Sequence, residues 1–385
     1  MTHNVVQTTA IHVPIIVSTM LIGKKRHHGG STHGRRYIYR DRKERHDLII
    51  NDYFKGEHSK YTSEHFRRRF RMDVELFKKI LRAIGSYDDY FKQKVDAVGK
   101  DGLSPLQKMI AAVRMLAYGC PADILDEYVQ IGESTAIKSL KRFCDAVIGV
   151  FEKKYLRKPN KDDIARLLQE GEDRGFPEVV ASKNLWIWHA FFGMAGTNND
   201  ITVLDTSPLF DDLINGVAPP CNFEVQGHHY NMGYYLSDGI YPQYATLIQT
   251  ISQPSFIKEK IFAKHQEVAR KDVERAFGVL QSRWHIVKGP ARMWTARDLG
   301  KIMKTCIILH NMIIESEHQQ GINLECWQPH GDEMVEDVHL EHDYTFLVSR
   351  MINRMKQVQN KKVHTDLKID LINHLRVIYG DRQTA

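Results

Sequence analysis

Tyr230–Tyr241 reads YNMGYYLSDGIY. Within it, Gly233–Ser237 has the aromatic and aliphatic composition of a buried strand, and it stops at Asp238-Gly239. A carboxylate at a strand end opens onto a cleft and is well placed for a metal ion. An aspartate before glycine is also the ordinary signature of a turn. Upstream, Val179–Ala181, Leu185–Phe192 and Ile201–Leu204 are rich in Val, Trp, Ile and Phe and read as strands. Gly193–Asn199 reads as a turn, and residues 206–230, with Pro219-Pro220, as a long loop. Downstream, helical periodicity covers 255–283 and 295–317. Strands followed by helices in one stretch predict an α/β domain.

A second carboxylate falls on the first of those helices, in the run Arg270–Gly278 (RKDVERAFG). Ala269, Val273, Ala276, Phe277 and Leu280 form its apolar stripe. At ~100° per residue, Glu274 lies at the border of that stripe beside Arg270, where it can face a cleft. The same spacing also describes an ordinary i,i+4 charge pair between Arg270 and Glu274. Asp200, in the run Thr197–Asp200, is a third candidate ligand and equally a turn residue.

The half of the chain before Pro177 is helical from Tyr37 onward. Arg67–Arg71 (RRRFR), Leu76, Ile80 and Ile84 fit helices with one apolar stripe. Ser104-Pro105 reads as cap and first turn of a helix to Ala117. A short helix over Pro121–Val129, a turn at Gly132, a cap at Ser134 and a helix over Thr135–Phe151 give a helix-turn-helix arrangement. Lys138, Lys141 and Arg142 on the second helix then face DNA, or else the solvated side of a plain bundle.

The 385 residues are 42% hydrophobic, which excludes a wholly disordered chain. The net charge is +7, and Lys24–Arg45 alone carries nine Lys/Arg against two Asp/Glu. That one block accounts for the whole excess and suits nucleic acid or a nuclear import receptor. The apolar segment Ile11–Ile22 is too short for a membrane span, and its positive charges follow rather than precede it, unlike a signal peptide. Five cysteines, an odd number with no CxxC, point to reduced thiols rather than disulfides or zinc.

Six ordered runs carry a family resemblance: Leu103–Gly119, Gly132–Cys144, Leu185–Leu204, Tyr230–Tyr241, Arg270–Gln281 and Cys306–Glu315. Together they resemble the plant PIF/Harbinger transposase family, including its transposase-derived nucleases, from about Tyr37 to about Glu317. The resemblance implies an α+β protein. A helical, helix-turn-helix-like N-terminal region would precede an RNase H-like α/β nuclease domain with an Asp–Asp–Glu triad. It implies a divalent metal, Mg or Mn, held at Asp238 and Glu274, with Asp200 as a further ligand. DNA would be the partner, contacted by Lys138, Lys141, Arg142, Arg270, Lys271 and Arg275. A Myb-like DNA-binding partner protein, oligomerisation and a nuclear location are implied as well, with the cytoplasm as the alternative.

The family's first Asp belongs on a strand just after Gly175-Phe176-Pro177. Here Pro177 is followed at once by Glu178-Val179-Val180, which matches the far end of the next strand. The expected organisation is a disordered basic segment over 1–36 and a DNA-binding helical region over 37–170. A nuclease domain over 171–317, truncated near 177/178, and an extension over 318–385 complete it. A nuclease by ancestry with impaired catalysis is the leading reading. A non-enzymatic DNA-binding or scaffold protein, or a defective element remnant, is the alternative.

Overall fold

The computed structural model describes residues 38–95, 99, 101–177, 185–188, 201, 204, 207, 210–215, 221–288, 295–321 and 352–380. Asp200, Glu178, the Val179–Ala181 strand, the apolar segment Ile11–Ile22 and the basic cluster up to Arg36 lie outside them. The chain divides into two compact units. One comprises Ile15–Glu152 with Leu280–Ile313, and the other Met1–Pro14, Lys153–Val279 and Ile314–Ala385.

The first unit is helical among its described residues. α1 (Arg42–Tyr53), α2 (Ser63–Phe70) and α3 (Val74–Tyr87) are capped by the side chains of Asp41, Thr62 and Asp73. Tyr53, Phe66, Phe70 and Phe77 meet edge-on, an arrangement that suits the ring quadrupoles. α4 (Pro105–Tyr118) starts at Ser104 as the sequence predicts. Ser104 and Gln107 form a reciprocal capping box, and Pro105 takes a first-turn position. Gly119 ends α4 at φ 59°, where a Cβ would lie 3.1 Å from the His285 carbonyl, so only glycine fits without strain.

α5 (Leu125–Val129) and α6 (Glu133–Tyr155) are the expected short and long helices. The left-handed turn residue between them is Gln130, at φ 55°, rather than Gly132. α6 is zipped to the later helix by Lys141–Asp298 at 2.8 Å and Lys304–Glu152 at 2.7 Å. Cys144 and Cys306 are buried there. Burial pushes both thiols up, Cys144 to about 12, which makes them unreactive.

The second unit carries all four strands named among the described residues. α7 (Lys161–Glu172) and α8 (Asp211–Asn215) precede β1 (Phe223–Val225) and β2 (His228–Tyr230), an antiparallel hairpin. β3 (Tyr235–Ser237) pairs in parallel with β4 (Leu247–Gln249), Leu236 opposite Ile248. α9 (Ile257–Arg283), in this unit up to Val279, and α10 (Ala296–Gln319), in the first unit up to Ile313, match the helices expected at 255–283 and 295–317. The α+β class therefore holds, with little strand.

Three strand and loop expectations change. Residues 185–188 are not extended in a sheet, and Ile201 and Leu204 are helical rather than strand. The stretch 206–230 is not one long loop, since it holds α8 and the hairpin. The hairpin closes through Gln226-Gly227, both at positive φ as a two-residue primed turn requires. Gln at the first position carries none of the usual Asn or Asp signal.

A C-terminal helix, α11 (Lys361–Tyr379), is an integral layer of this unit. Its Leu367, Leu371, Ile372 and Leu375 join Phe176, Val225, Tyr234, Leu236, Ile248 and Phe262 in one buried core. Gly175 lies so close to α11 that a Cβ there would meet Leu375 at 2.5 Å.

Besides His228, which meets Asp370 of α11 at 2.8 Å, three histidines line this docking. His364 is buried and donates from Nδ1 to the Tyr244 carbonyl at 3.0 Å. His265 stacks on Tyr379 at 4.0 Å, and His374 lies on α11 itself. Burial lowers all three pKa values. The unfolded chain then binds more protons than the folded one, so stability is present above about pH 6.5 and is lost as pH falls through it. The thermal midpoint should drop between pH 7.5 and 5.5, and His364→Gln should reduce that drop. A midpoint independent of pH over this range would refute the assignment.

Candidate active site

Asp238 follows β3 directly, so its position depends on what holds the end of that strand. The holder is Gln266 of α9, fully buried between the apolar residues Phe262 and Ala269. Its amide Nε2 donates to the carbonyl of Ser237 at 2.9 Å and to that of Ile248 at 3.3 Å. One side chain thus fixes both parallel strands against the helix that carries Glu274. Glu274 lies two turns further along α9, ~12 Å at 1.5 Å per residue. The predicted stripe of α9 is buried throughout: Ala269, Val273, Ala276, Phe277 and Leu280.

Both carboxylates have local partners. Asp238 Oδ1 accepts from the Gly239 backbone N–H at 2.7 Å, the turn arrangement. Glu274 Oε1 accepts from Arg270 Nη1 at 2.7 Å, the i,i+4 pair. Among the described residues no three His, Cys, Asp or Glu side chains gather as a metal-ligand group. Bridging two ions ~3.5–4 Å apart takes several carboxylates aimed at one point. Asp238 and Glu274, each engaged locally, do not by themselves fit that demand. The other acids near the junction do not complete the set, because Glu172 and Asp173 are exposed, and Asp173 accepts from Gln169 at 3.2 Å.

The candidate DNA-contacting cations on α9 are likewise paired. Lys271 meets Glu267 at 3.6 Å, Arg275 meets Asp272 at 3.3 Å, and Arg174 also binds Asp272. On α6, Lys141 binds Asp298, and Arg142 meets Asp88 at 3.3 Å. Lys138 is exposed, its ammonium 5.7 Å from the Tyr90 ring centre.

Gln266 was not among the residues expected to matter. Its only sequence signal is a polar residue on the apolar face of a long helix, which periodicity alone marks as an irregularity.

Residues 178–321 match the family model described as plant transposon protein. Residues 46–85 match a domain of unknown function. Over 148 residues the chain is 28% identical to an Arabidopsis thaliana protein described as Protein ALP1-like, covering 37% of this chain and 36% of that one. The chain thus aligns with little more than a third of that curated relative's length. No solved structure matches.

Gln266→Leu keeps the volume but removes the amide donated to the Ser237 and Ile248 carbonyls, at about 1–3 kcal/mol. The denaturant midpoint should fall accordingly, while Gln266→Glu, which offers no amide donor, should not restore it. Wild-type stability in Gln266→Leu would show that the bridge contributes nothing.

Proposed function

We propose that this chain, whose residues 178–321 belong to the plant transposon-protein family, is a Harbinger-type, transposase-derived protein that retains DNA binding and has lost DNA cleavage. Its ancestor was a metal-dependent endonuclease of RNase H type. The observation that supports the loss is the junction at Pro177–Glu178. The family match begins at Glu178, the residue at which the sequence departs from the pattern that should carry the first Asp.

The junction lies at the core, where the damage is greatest. Phe176 is fully buried in the same cluster as Tyr234, just before β3, and Leu236 within it. A central strand entering after Pro177 would have brought a carboxylate to the sheet beside Asp238. In its absence the remaining acids meet their own neighbours, Asp238 the Gly239 amide and Glu274 the Arg270 guanidinium. When bound, a pair of Mg or Mn ions would activate water and steady the leaving oxygen. Asp238 and Glu274 are the residues here that descend from the set holding such ions, and two carboxylates supply too few ligands and too little negative charge for the pair.

DNA binding is supported by charge and by the helical unit. Lys138, Lys141 and Arg142 project from α6, the second helix of the helix-turn-helix-like segment. Lys141 and Arg142 would exchange Asp298 and Asp88 for phosphates on binding. Arg270, Lys271 and Arg275 on α9 would follow the ancestral substrate strand. No helix among the described residues is long and apolar enough to cross a membrane.

In a plasmid-nicking assay with Mg or Mn, the chain should give no product above background, and a version with the family's first strand restored should nick. Nicking by the present chain that disappears on Asp238→Ala would overturn the proposal, since another carboxylate would then have filled the empty place. The basic cluster Lys24–Arg26 with Arg35–Arg45 directs the chain to the nucleus in this reading. A fluorescent fusion should concentrate there and should become diffuse when those residues are neutralised. A fusion that stays cytoplasmic would refute the location.

A further inference from the structure

Two arginines in the helical unit differ from the paired cations above. Arg71 caps the C-terminus of α2, and Arg114 lies on α4. Their guanidinium carbons sit 5.3 and 5.8 Å from the centre of the same Tyr118 ring. Arg114 also lies over Tyr128, at 5.2 Å, and Phe70, at 5.9 Å. Neither arginine makes an ion pair or side-chain hydrogen bond among the described residues, and the Nε of each is buried without an acceptor. Two positive groups therefore share one aromatic ring with no acid between them.

The backbone at Arg71 gives an independent indication. Its φ is 64°, in the left-handed region, and its N–H closes the helix on the Arg67 carbonyl at 2.7 Å. A C-cap in this conformation favours glycine or asparagine, and any larger residue costs about 1 kcal/mol. Arg67, Arg68 and Arg69 in the last turn of α2 complement the helix dipole. Arg71 lies past that turn, so helix stability does not account for a charged side chain at a strained position.

An anion with several acceptor oxygens suits this pair. Guanidinium forks match phosphate oxygens bidentately. The aromatic surface keeps the pair rigid, so little side-chain entropy is lost on binding. The guanidinium groups already lie against Tyr118, which leaves phosphate contact rather than base stacking as the available chemistry. Exposed Arg68, Lys55 and Lys60 on the neighbouring segments extend the basic surface for a polyanion.

We propose that Arg71 and Arg114, seated on Tyr118, bind the phosphate backbone of duplex DNA. This rests on the DNA-binding part of the function proposed above, and it locates a contact surface on α2 and α4, apart from α6 and α9.

The test uses the full chain and a short DNA duplex, with affinity measured across a salt series. Arg71→Gly removes the guanidinium and also relaxes the left-handed cap, so its thermal midpoint should be unchanged or higher. Arg114→Met keeps an apolar stem against Phe70 and Tyr128. Each substitution should weaken binding by about 3–10-fold whatever the DNA sequence, and the pair should reduce the salt slope by about 2. Lys78→Gln, which removes one charge from the Glu75 pair on α3, should leave the slope unchanged. Wild-type affinity and slope in a folded double variant would overturn this site and leave the DNA-binding reading standing. Absence of duplex binding by the unsubstituted chain would overturn both. Stronger binding to structured RNA than to duplex DNA would overturn the identity of the partner.

Discussion

A single buried amide holds the strand-bearing unit in register. Two parallel strands of three residues each have few ladder bonds of their own, and the carbonyls of Ser237, last in β3, and Ile248, midway along β4, also take a side-chain donor. Gln266 answers both carbonyls from a helix whose remaining inward face is apolar. The strands, the helix and the loop that begins at Asp238 therefore share one reference point. This interaction also fixes how Asp238 and Glu274 are related along the fold. Asp238 is one residue beyond a bridged carbonyl, and Glu274 is two turns beyond the bridge.

What surrounds those acids is charge neutralised at short range. On α9, acids and bases recur three or four residues apart, so Glu267, Asp272 and Glu274 each have a cation within reach. Such pairs contribute little to stability when exposed. Their effect is to hold the side chains that a nuclease would aim at ions and phosphates. The arginines on Tyr118 meet no such acid among the described residues, and cation–π contact holds them without neutralising them.

Helices were legible from the sequence because their signals are local. The cap at Ser104, the stripe on α9 and the approximate bounds of α10 follow from spacing alone. The strands were legible only where an aromatic run made them so, as at Tyr235–Ser237. Leu247–Gln249 is three residues long, and the hairpin at 223–230 turns on a Gln-Gly pair that sequence statistics do not mark. The carboxylates show a further limit. Spacing gave two readings each for Asp238 and Glu274, and the local contacts of the plainer reading, a turn and an i,i+4 pair, are the ones present. Asp200 lies outside the described residues. For α11, the leucines at 367, 371 and 375 spell an amphipathic helix, but no local pattern says that it closes the core begun by Phe176.

That closure reaches across the chain. Phe176 and Leu375 are neighbours in one core yet are synthesised about two hundred residues apart, so the contact is of very high sequence separation and slow to form. On the ribosome, β3, β4 and α9 would emerge long before the helix that covers them. Their apolar faces would stay open through that interval, the circumstance in which nascent chains recruit chaperones or aggregate. A frameshift or early stop anywhere before α11 would leave the strand-bearing unit permanently in that state, so quality control would read the end of the message as strictly as its middle.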